Sequence, residues 1–298
     1  MSIQTKGILL AVISAICYGT NPLGALFLYE EGLNVNSVIF YRFAFATLFL
    51  AIFMLIQKRS FFVTLKELLI LIFLGLLFGI SSISLFSSFL YMDAGLASTI
   101  LFVYPIFVAI LMAIFFKEKS SIITILSISL AIIGVLFLSG SDEANVSKIG
   151  IILVLTSSLC YAIYIVIINQ YLKLTALKVT LYSMLFCTIT IFIHSLFTQS
   201  SNIMPLENFS MWFYSIFLAL VPTIISLLFL IKAIQIIGST SASILGALEP
   251  LTAVLIGVLI FNEIITFWLI IGIVLILLAV VMIILKSILE KIFFLKYK

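Results

Sequence analysis

Long apolar runs, each about twenty residues and separated by short polar clusters, constrain this chain more than any other feature. A hydrocarbon core about 30 Å thick takes about 20 apolar residues per helix. Ten such runs can be marked: Gly7–Tyr29, Ser37–Gln57, Leu68–Tyr91, Gly95–Phe116, Ile122–Ser139, Ile149–Tyr171, Ala176–Thr198, Met211–Ile231, Thr240–Phe261 and Phe267–Lys286. The cuts fall at "QKRS", "KEKSS", "SGSDEANVSK", "QSSNIMPLEN" and "FNE", which hold most of the charges and turn formers. The runs do not alternate apolar and polar residues, so helices are expected rather than a β-barrel. Only 9% of the 298 residues are charged, against about 25% in soluble domains. A water-facing globular surface is therefore excluded, and the predicted class is an all-α polytopic membrane protein.

The charges orient it. With the N-terminus in the cytoplasm, Lys6, Lys58, Arg59, Lys66, Lys117, Lys119, Lys173, Lys178, Lys232, Lys286, Lys291, Lys296 and Lys298 all fall inside. Only Lys148 falls outside, while Glu30, Glu31, Asp93, Asp142, Glu143, Glu207 and Glu263 line the outer face. Such a bias fixes orientation and an even number of spans, with both termini cytoplasmic. No cleavable signal is expected at the N-terminus. Short loops suggest a bacterial cytoplasmic membrane.

Two internal matches give the architecture. "ASTILFVYPIFVAILMAIFFKE" from Ala97 and "ASILGALEPLTAVLIGVLIFNE" from Ala242 keep Ala-Ser, a proline and a glutamate in step, 145 residues apart. "GILLAVISAICY" from Gly7 and "GIILVLTSSLCY" from Gly150 keep Gly, Ser and Cys-Tyr in register at 143. The chain reads as a duplication. Residues 1–145 form one five-helix repeat, 146–286 a second, and 287–298 a basic cytoplasmic tail. An odd number of spans per half inverts the second half. Inverted repeats of this kind place a substrate site near the midplane between the halves.

With ten spans, the 5+5 duplication, "FYRF" at Phe40–Phe43 and the repeated Ala-Ser…Pro…Glu block, the sequence resembles the drug/metabolite transporter superfamily, EamA type. The resemblance covers essentially the whole chain. It implies transport of small metabolites, amino acids or drugs, often outward, through a cavity between two five-helix repeats.

The candidate site residues follow from cost. Glu249 lies near mid-span, where an ionised side chain costs about 2.5–3.5 kcal/mol. It should face the interior and bind substrate, carry a proton, or hydrogen-bond between helices. Its repeat mate is Tyr104. Pro105 and Pro250 are paired hinge candidates or packing kinks. "CYGTNP" and "CYAIYIVIINQ" supply Tyr18, Asn21, Tyr161 and Tyr164 as cavity lining or as interhelical hydrogen-bonding groups, with Asn169 nearby. Ser82 belongs to a serine-rich third span, "GLLFGISSISLFSSF", whose Gly75 and Gly79 favour close helix approach. "GSTSAS" at Gly238–Ser243 suits a helix start. Arg42 either snorkels to the outer headgroups, binds backbone carbonyls, or serves as partner to an acidic solute or to a gate. Tyr29, Tyr91 and Tyr171 read as interfacial belt residues, His194 as a packing residue, and the three cysteines as inert.

No cofactor, no metal and no nucleic-acid partner are expected; the partners are a small-molecule solute, the lipid bilayer and, as a coupling ion, protons. Oligomeric state is left open by the sequence. One histidine cannot build an H-E-x-x-H zinc site, and both aspartates lie in loops, so an intramembrane enzyme is disfavoured. A non-transporting sensor or assembly protein is the main rival, against which the two inverted halves argue.

Overall fold

The fold comes from a computed structural model that describes residues 3–92, 94–117, 121–138, 147–197, 202–260 and, further on, 267, 268, 270–272, 274, 275, 278, 279, 281 and 282. The repeat junction at 139–146, the loop charges Asp93, Lys119, Asp142, Glu143 and Glu263, the last-span lysine Lys286 and the tail 287–298 lie outside the described residues.

Among the described residues the chain is helical, without strands. The first span is interrupted: α1 (Ile3–Tyr18) is followed by α2 (Asn21–Glu30). Then come α3 (Val35–Ile56), α4 (Leu65–Ser88), α5 (Ala94–Leu101), α6 (Tyr104–Phe116) and α7 (Ile122–Leu138). After the junction come α8 (Lys148–Tyr171), α9 (Ala176–Phe197), α10 (Phe209–Ala219), a π segment (Leu220–Ile225), α11 (Ser226–Ile237), α12 (Ser239–Leu245) and α13 (Leu248–Ile260). Among the described residues, seven helices, counting α1–α2, α10–α11 and α12 with the start of α13 as continuous rods, are long and apolar enough to cross a membrane. The expected fourth span is split into α5 and α6, the fifth is 17 residues long, and the described residues of the tenth are helical.

Local chemistry sets the boundaries. Asn34 and Asn208 cap α3 and α10, accepting from the N–H of Ser37 and Met211 at 2.8 Å. Thr64 and Glu67 form a capping box at the start of α4. The "GSTSAS" stretch starts α12 differently: Gly238 stands at the N-cap with φ +81°, a backbone that favours glycine, and no side chain caps it.

Loop contacts sort the bundle into two ends. At one, Lys178 donates to the Phe62 carbonyl, Gln235 donates to Leu174, Gly7 packs on Ile236 and Ile237, and Phe116 meets Tyr171. Lys6, Lys58, Arg59, Lys66, Lys117, Lys173 and Lys232 belong to that end. At the other, Asn34 donates to Asn202, Asn208 to Glu31, and Gly150 packs on Met92.

Helix pairing crosses the midpoint of the chain. α1 packs along α11, α4 along α8, and α3 and α4 along α9. Gly75 and Gly79 act as expected of small residues: a Cβ at Gly75 would sit 2.3 Å from the Phe186 Cβ, and one at Gly79 would sit 3.0 Å from Thr190. Two buried serine pairs then repeat one motif. Ser14 donates to the Ser226 carbonyl at 2.8 Å and faces its hydroxyl at 3.2 Å. Ser81 donates to the Ser157 carbonyl at 3.0 Å and faces its hydroxyl at 2.9 Å. Ser157 stands 143 residues after Ser14, and Ser226 stands 145 after Ser81, the same offsets as the sequence matches. Each pair joins one half of the chain to the other, and exchanging the halves turns one hydroxyl–hydroxyl contact into its twin, while the carbonyl bond is accepted in both pairs by the second half.

Candidate transport site at the centre of the bundle

Three interrupted helices surround the centre. Pro105 and Pro250 have no N–H for the carbonyls of Leu101 and Gly246, so each span breaks there and restarts one turn later. The α5–α6 break at 102–103 and the α12–α13 break at 246–247 are repeat mates. Both prolines sit in the first turn of the second segment, where a proline is tolerated. Pro22 has the same effect on the Tyr18 carbonyl and ends α1, with Thr20 Oγ1 turning back to Cys17 O at 2.7 Å. The interrupted segments approach closely: a Cβ at Gly19 would lie 2.5 Å from the Glu249 carbonyl, and one at Gly246 would lie 1.8 Å from Tyr104 Oη.

Glu249 faces inward, as its cost requires, and is 7% exposed. Its repeat mate holds it: Tyr104 Oη donates to Glu249 Oε1 at 3.3 Å, across 145 residues of sequence. The other duplicated tyrosines also meet, with Tyr18 and Tyr161 stacked at 5.8 Å and 7°. Tyr104 contacts Tyr161 edge-on at 4.8 Å, and Tyr164 lies 6.3 Å from Tyr161 and 5.0 Å from Phe78. These rings form one cluster beside the carboxyl, a surface suited to an organic solute.

Arg42 lies at the edge of the same cluster. It does not snorkel: the side chain is fully buried, about 10 Å along α3 from its start at 1.5 Å per residue. Its carbon Cζ lies 5.9 Å from the Tyr18 ring centroid, 4.9 Å from Phe43 and 5.4 Å from Phe86, within cation–π range. Nε donates to Thr223 Oγ1 at 2.6 Å and Nη2 to the Pro222 carbonyl at 3.4 Å. This contact explains the π segment. Pro222 cannot bond the Leu218 carbonyl, Thr223 Oγ1 donates to it instead at 2.7 Å, and Arg42 supports Thr223 in turn. The α10–α11 hinge was not read from the sequence, although a proline followed by threonine in mid-span, "VPTI", is its signal.

Of the predicted site residues, Tyr18, Asn21 and Glu249 line one narrow cleft with Leu85, Phe89 and Ser98. The space in this cleft is about 10 Å³, room for about one water, so the cleft itself is narrow. Tyr104, Tyr161 and Tyr164 pack behind the cleft lining in the ring cluster. Ser82 is buried in α4 but does not line the cleft. Asn169 donates to Ser239 Oγ at 3.1 Å, a helix-to-helix tie. His194 Nδ1 meets Asn36 Oδ1 at 3.2 Å. Tyr91 and Tyr171 are exposed, whereas Tyr29 is half-buried and donates to the Phe86 carbonyl of α4 at 3.1 Å. The cysteines are free, with no metal-binding group of acidic, His and Cys residues among the described residues.

The sequence matches the EamA-like transporter family over residues 5–140 and again over residues 148–285. The chain belongs to this family. The double match falls once on each half of the EamA-like chain. A protein of Archaeoglobus fulgidus, described as an uncharacterized transporter, is 35% identical over 125 residues, 41% of this chain and 43% of that one. The uncharacterized transporter YyaM of Bacillus subtilis is 27% identical over 182 residues, 59% of each chain. The EamA-like chain thus spans about half the length of these relatives. A solved crystal structure superposes with a TM-score of 0.77 at 15% identity, over 93% of this chain and 96% of the other, a likeness of fold. A multi-pass membrane protein of a transporter family is what the family match and the apolar helices support.

Proposed function

We propose that the protein is a secondary transporter that exports a small organic solute by alternating access, through a path between two inverted five-helix halves. The observation that carries the reading is the Tyr104–Glu249 bond. It joins repeat mates at the first turns of two interrupted helices, in the middle of a ring cluster built by both halves. Discontinuous helices that meet at mid-depth are a recurrent way to build a transporter site. The lysine-rich end is cytoplasmic in this reading, following the positive-inside rule. Outward direction comes from the family resemblance.

Opening to one side would separate one serine pair and keep its twin. Ser14–Ser226 lies on the lysine-rich side of the stacked Tyr18–Tyr161 pair, because Ser14 precedes Tyr18 by one turn in α1, which starts at that end. Ser81–Ser157 lies on the opposite side, because α8 starts at the other end.

Glu249 is the coupling group. No basic side chain among the described residues pairs with it, so its charge has no fixed partner in this conformation. Access to water on either side lets it take up or release a proton in step with the solute. Purified protein in liposomes with an imposed pH gradient tests this with Glu249→Gln. Loss of concentrative flux with facilitated exchange retained supports coupling, and a mutant that concentrates solute as well as the parent removes it. Absence of flux for every solute tried, with the parent protein folded, would favour a sensor or assembly role.

A further inference from the structure

We propose that Arg42 is a recognition residue of the transport site and that the solute carries a carboxylate; the inference rests on the transport reading above. A guanidinium has five donors in a planar fork. Nε and Nη2 are engaged by Thr223 and Pro222, but Nη1 has no hydrogen-bond partner while the whole side chain is shielded from solvent. The acid that would neutralise it is missing among the described residues, since the central carboxyl, Glu249, is bonded to Tyr104. Fixed burial of a cation without an anion is costly, and buried charges are normally paired. The three rings around Arg42 offset part of that cost, and the unpartnered Nη1 is the nitrogen that could receive a carboxylate.

The neighbouring polar atoms tell the same story. Asn21 is 3% exposed and lines the cleft, yet both its Oδ1 and its Nδ2 lack partners. The Tyr161 hydroxyl, in the ring stack, also lacks one. Buried polar groups left unpaired around a shared centre are what a bound polar ligand would satisfy. Tyr18 lines the cleft, Arg42 does not, and the Tyr18 ring centroid lies 5.9 Å from Arg42 Cζ. A solute that turns this ring aside reaches the guanidinium with its carboxylate while Asn21 bonds the rest of its polar end. The hinge contact alone would need only the two engaged nitrogens. A carboxylate explains the third.

The test is thermal stabilisation of the full-length protein in detergent by a panel of aliphatic and aromatic carboxylic acids. Each acid is accompanied by its amide and by the corresponding α-amino acid. Acids that raise Tm where their amides do not support the assignment. A response to simple acids alone, or to amino acids alone, tells which source supplies the carboxylate. In Arg42→Gln the acids should bind at least tenfold more weakly, the size expected for one charge-assisted hydrogen bond. Arg42→Lys keeps the charge but not the fork, and should weaken binding similarly if the Gln variant does not fold. Thr223→Val removes the structural contact of Arg42 and should keep the acid-over-amide preference. A panel in which no carboxylate raises Tm, amides that match their acids, or undiminished acid binding in Arg42→Gln overturns the proposal. Flux measurements separate it from the transport reading: acids that bind but never cross retain Arg42 and remove transport, while equal flux of acids and amides does the reverse.

Discussion

Gly246→Ala probes the centre of the site without deleting any of its polar groups. An added Cβ would sit 1.8 Å from Tyr104 Oη, 2.8 Å from the Ser243 carbonyl and 3.1 Å from Tyr104 Cζ. Ordinary contact needs about 3.5 Å, so the hydroxyl must retreat by roughly 1.7 Å. Tyr104 is 1% exposed, and its ring is wedged against Phe102 and Tyr161, so it has little room to yield. Its bond to Glu249, already 3.3 Å long, would be lost. Overpacking costs about 1–3 kcal/mol, and a buried carboxyl deprived of its donor about 1–3 kcal/mol. Because relief of one increases the other, we expect about 2–4 kcal/mol in total. Denaturation in mixed micelles gives the value. The same substitution in a Tyr104→Phe background should cost about 1–2 kcal/mol less, since the clashing oxygen is gone. Gly95→Ala is the control: nothing lies within 4 Å of its Cβ, and its effect should stay within about 0.5 kcal/mol. A cost below about 0.5 kcal/mol for Gly246→Ala in both backgrounds would refute the geometry of this site.

The other predictions use the contacts around it. Thr223→Val leaves the Leu218 carbonyl and Arg42 Nε without their partner and should destabilise by about 1–3 kcal/mol, read by the same denaturation. Double-mutant cycles for Ser14/Ser226 and for Ser81/Ser157 should return equal couplings of about 0.6 kcal/mol each, the size found for hydrogen bonds between membrane helices; clearly unequal values would contradict their equivalence. Gly75→Val should disrupt the α4–α9 contact and cost more than about 2 kcal/mol, because its Cβ meets the Phe186 Cβ at 2.3 Å and the Cys187 nitrogen at 2.9 Å.

The multi-pass membrane class was legible because hydrocarbon thickness imposes a length, and the twofold family match because similar segments recur at a fixed offset. Glu249 and Tyr104 could be matched by that offset, and the structure brings the two into contact. The matched Ser14 and Ser157 were visible too, but their partners were not, since Ser226 and Ser81 lie in different spans and pairing depends on which helices pack. Arg42 illustrates a different gap. Near the outer end of a span, snorkelling and burial look alike in sequence, and the choice rests on the Thr223 hydroxyl and the Pro222 carbonyl in a helix about 180 residues away. The interruption at Gly19–Thr20 is carried by Pro22, yet the equivalent position in α8 is Ile165 and that helix runs unbroken. In this duplicated pair one member is bent and the other straight, whereas the α5–α6 and α12–α13 breaks match, an asymmetry that the repeat match alone does not show.

Cysteine labelling in sealed vesicles tests the inverted arrangement most directly. With Cys17, Cys160 and Cys187 replaced, single cysteines are placed at Ser60, after the second span, and at Asn202, after the seventh. The account predicts that Ser60→Cys reacts with a membrane-impermeant reagent only from the cytoplasmic face and Asn202→Cys only from the outer face. Reaction of both from one side would contradict it.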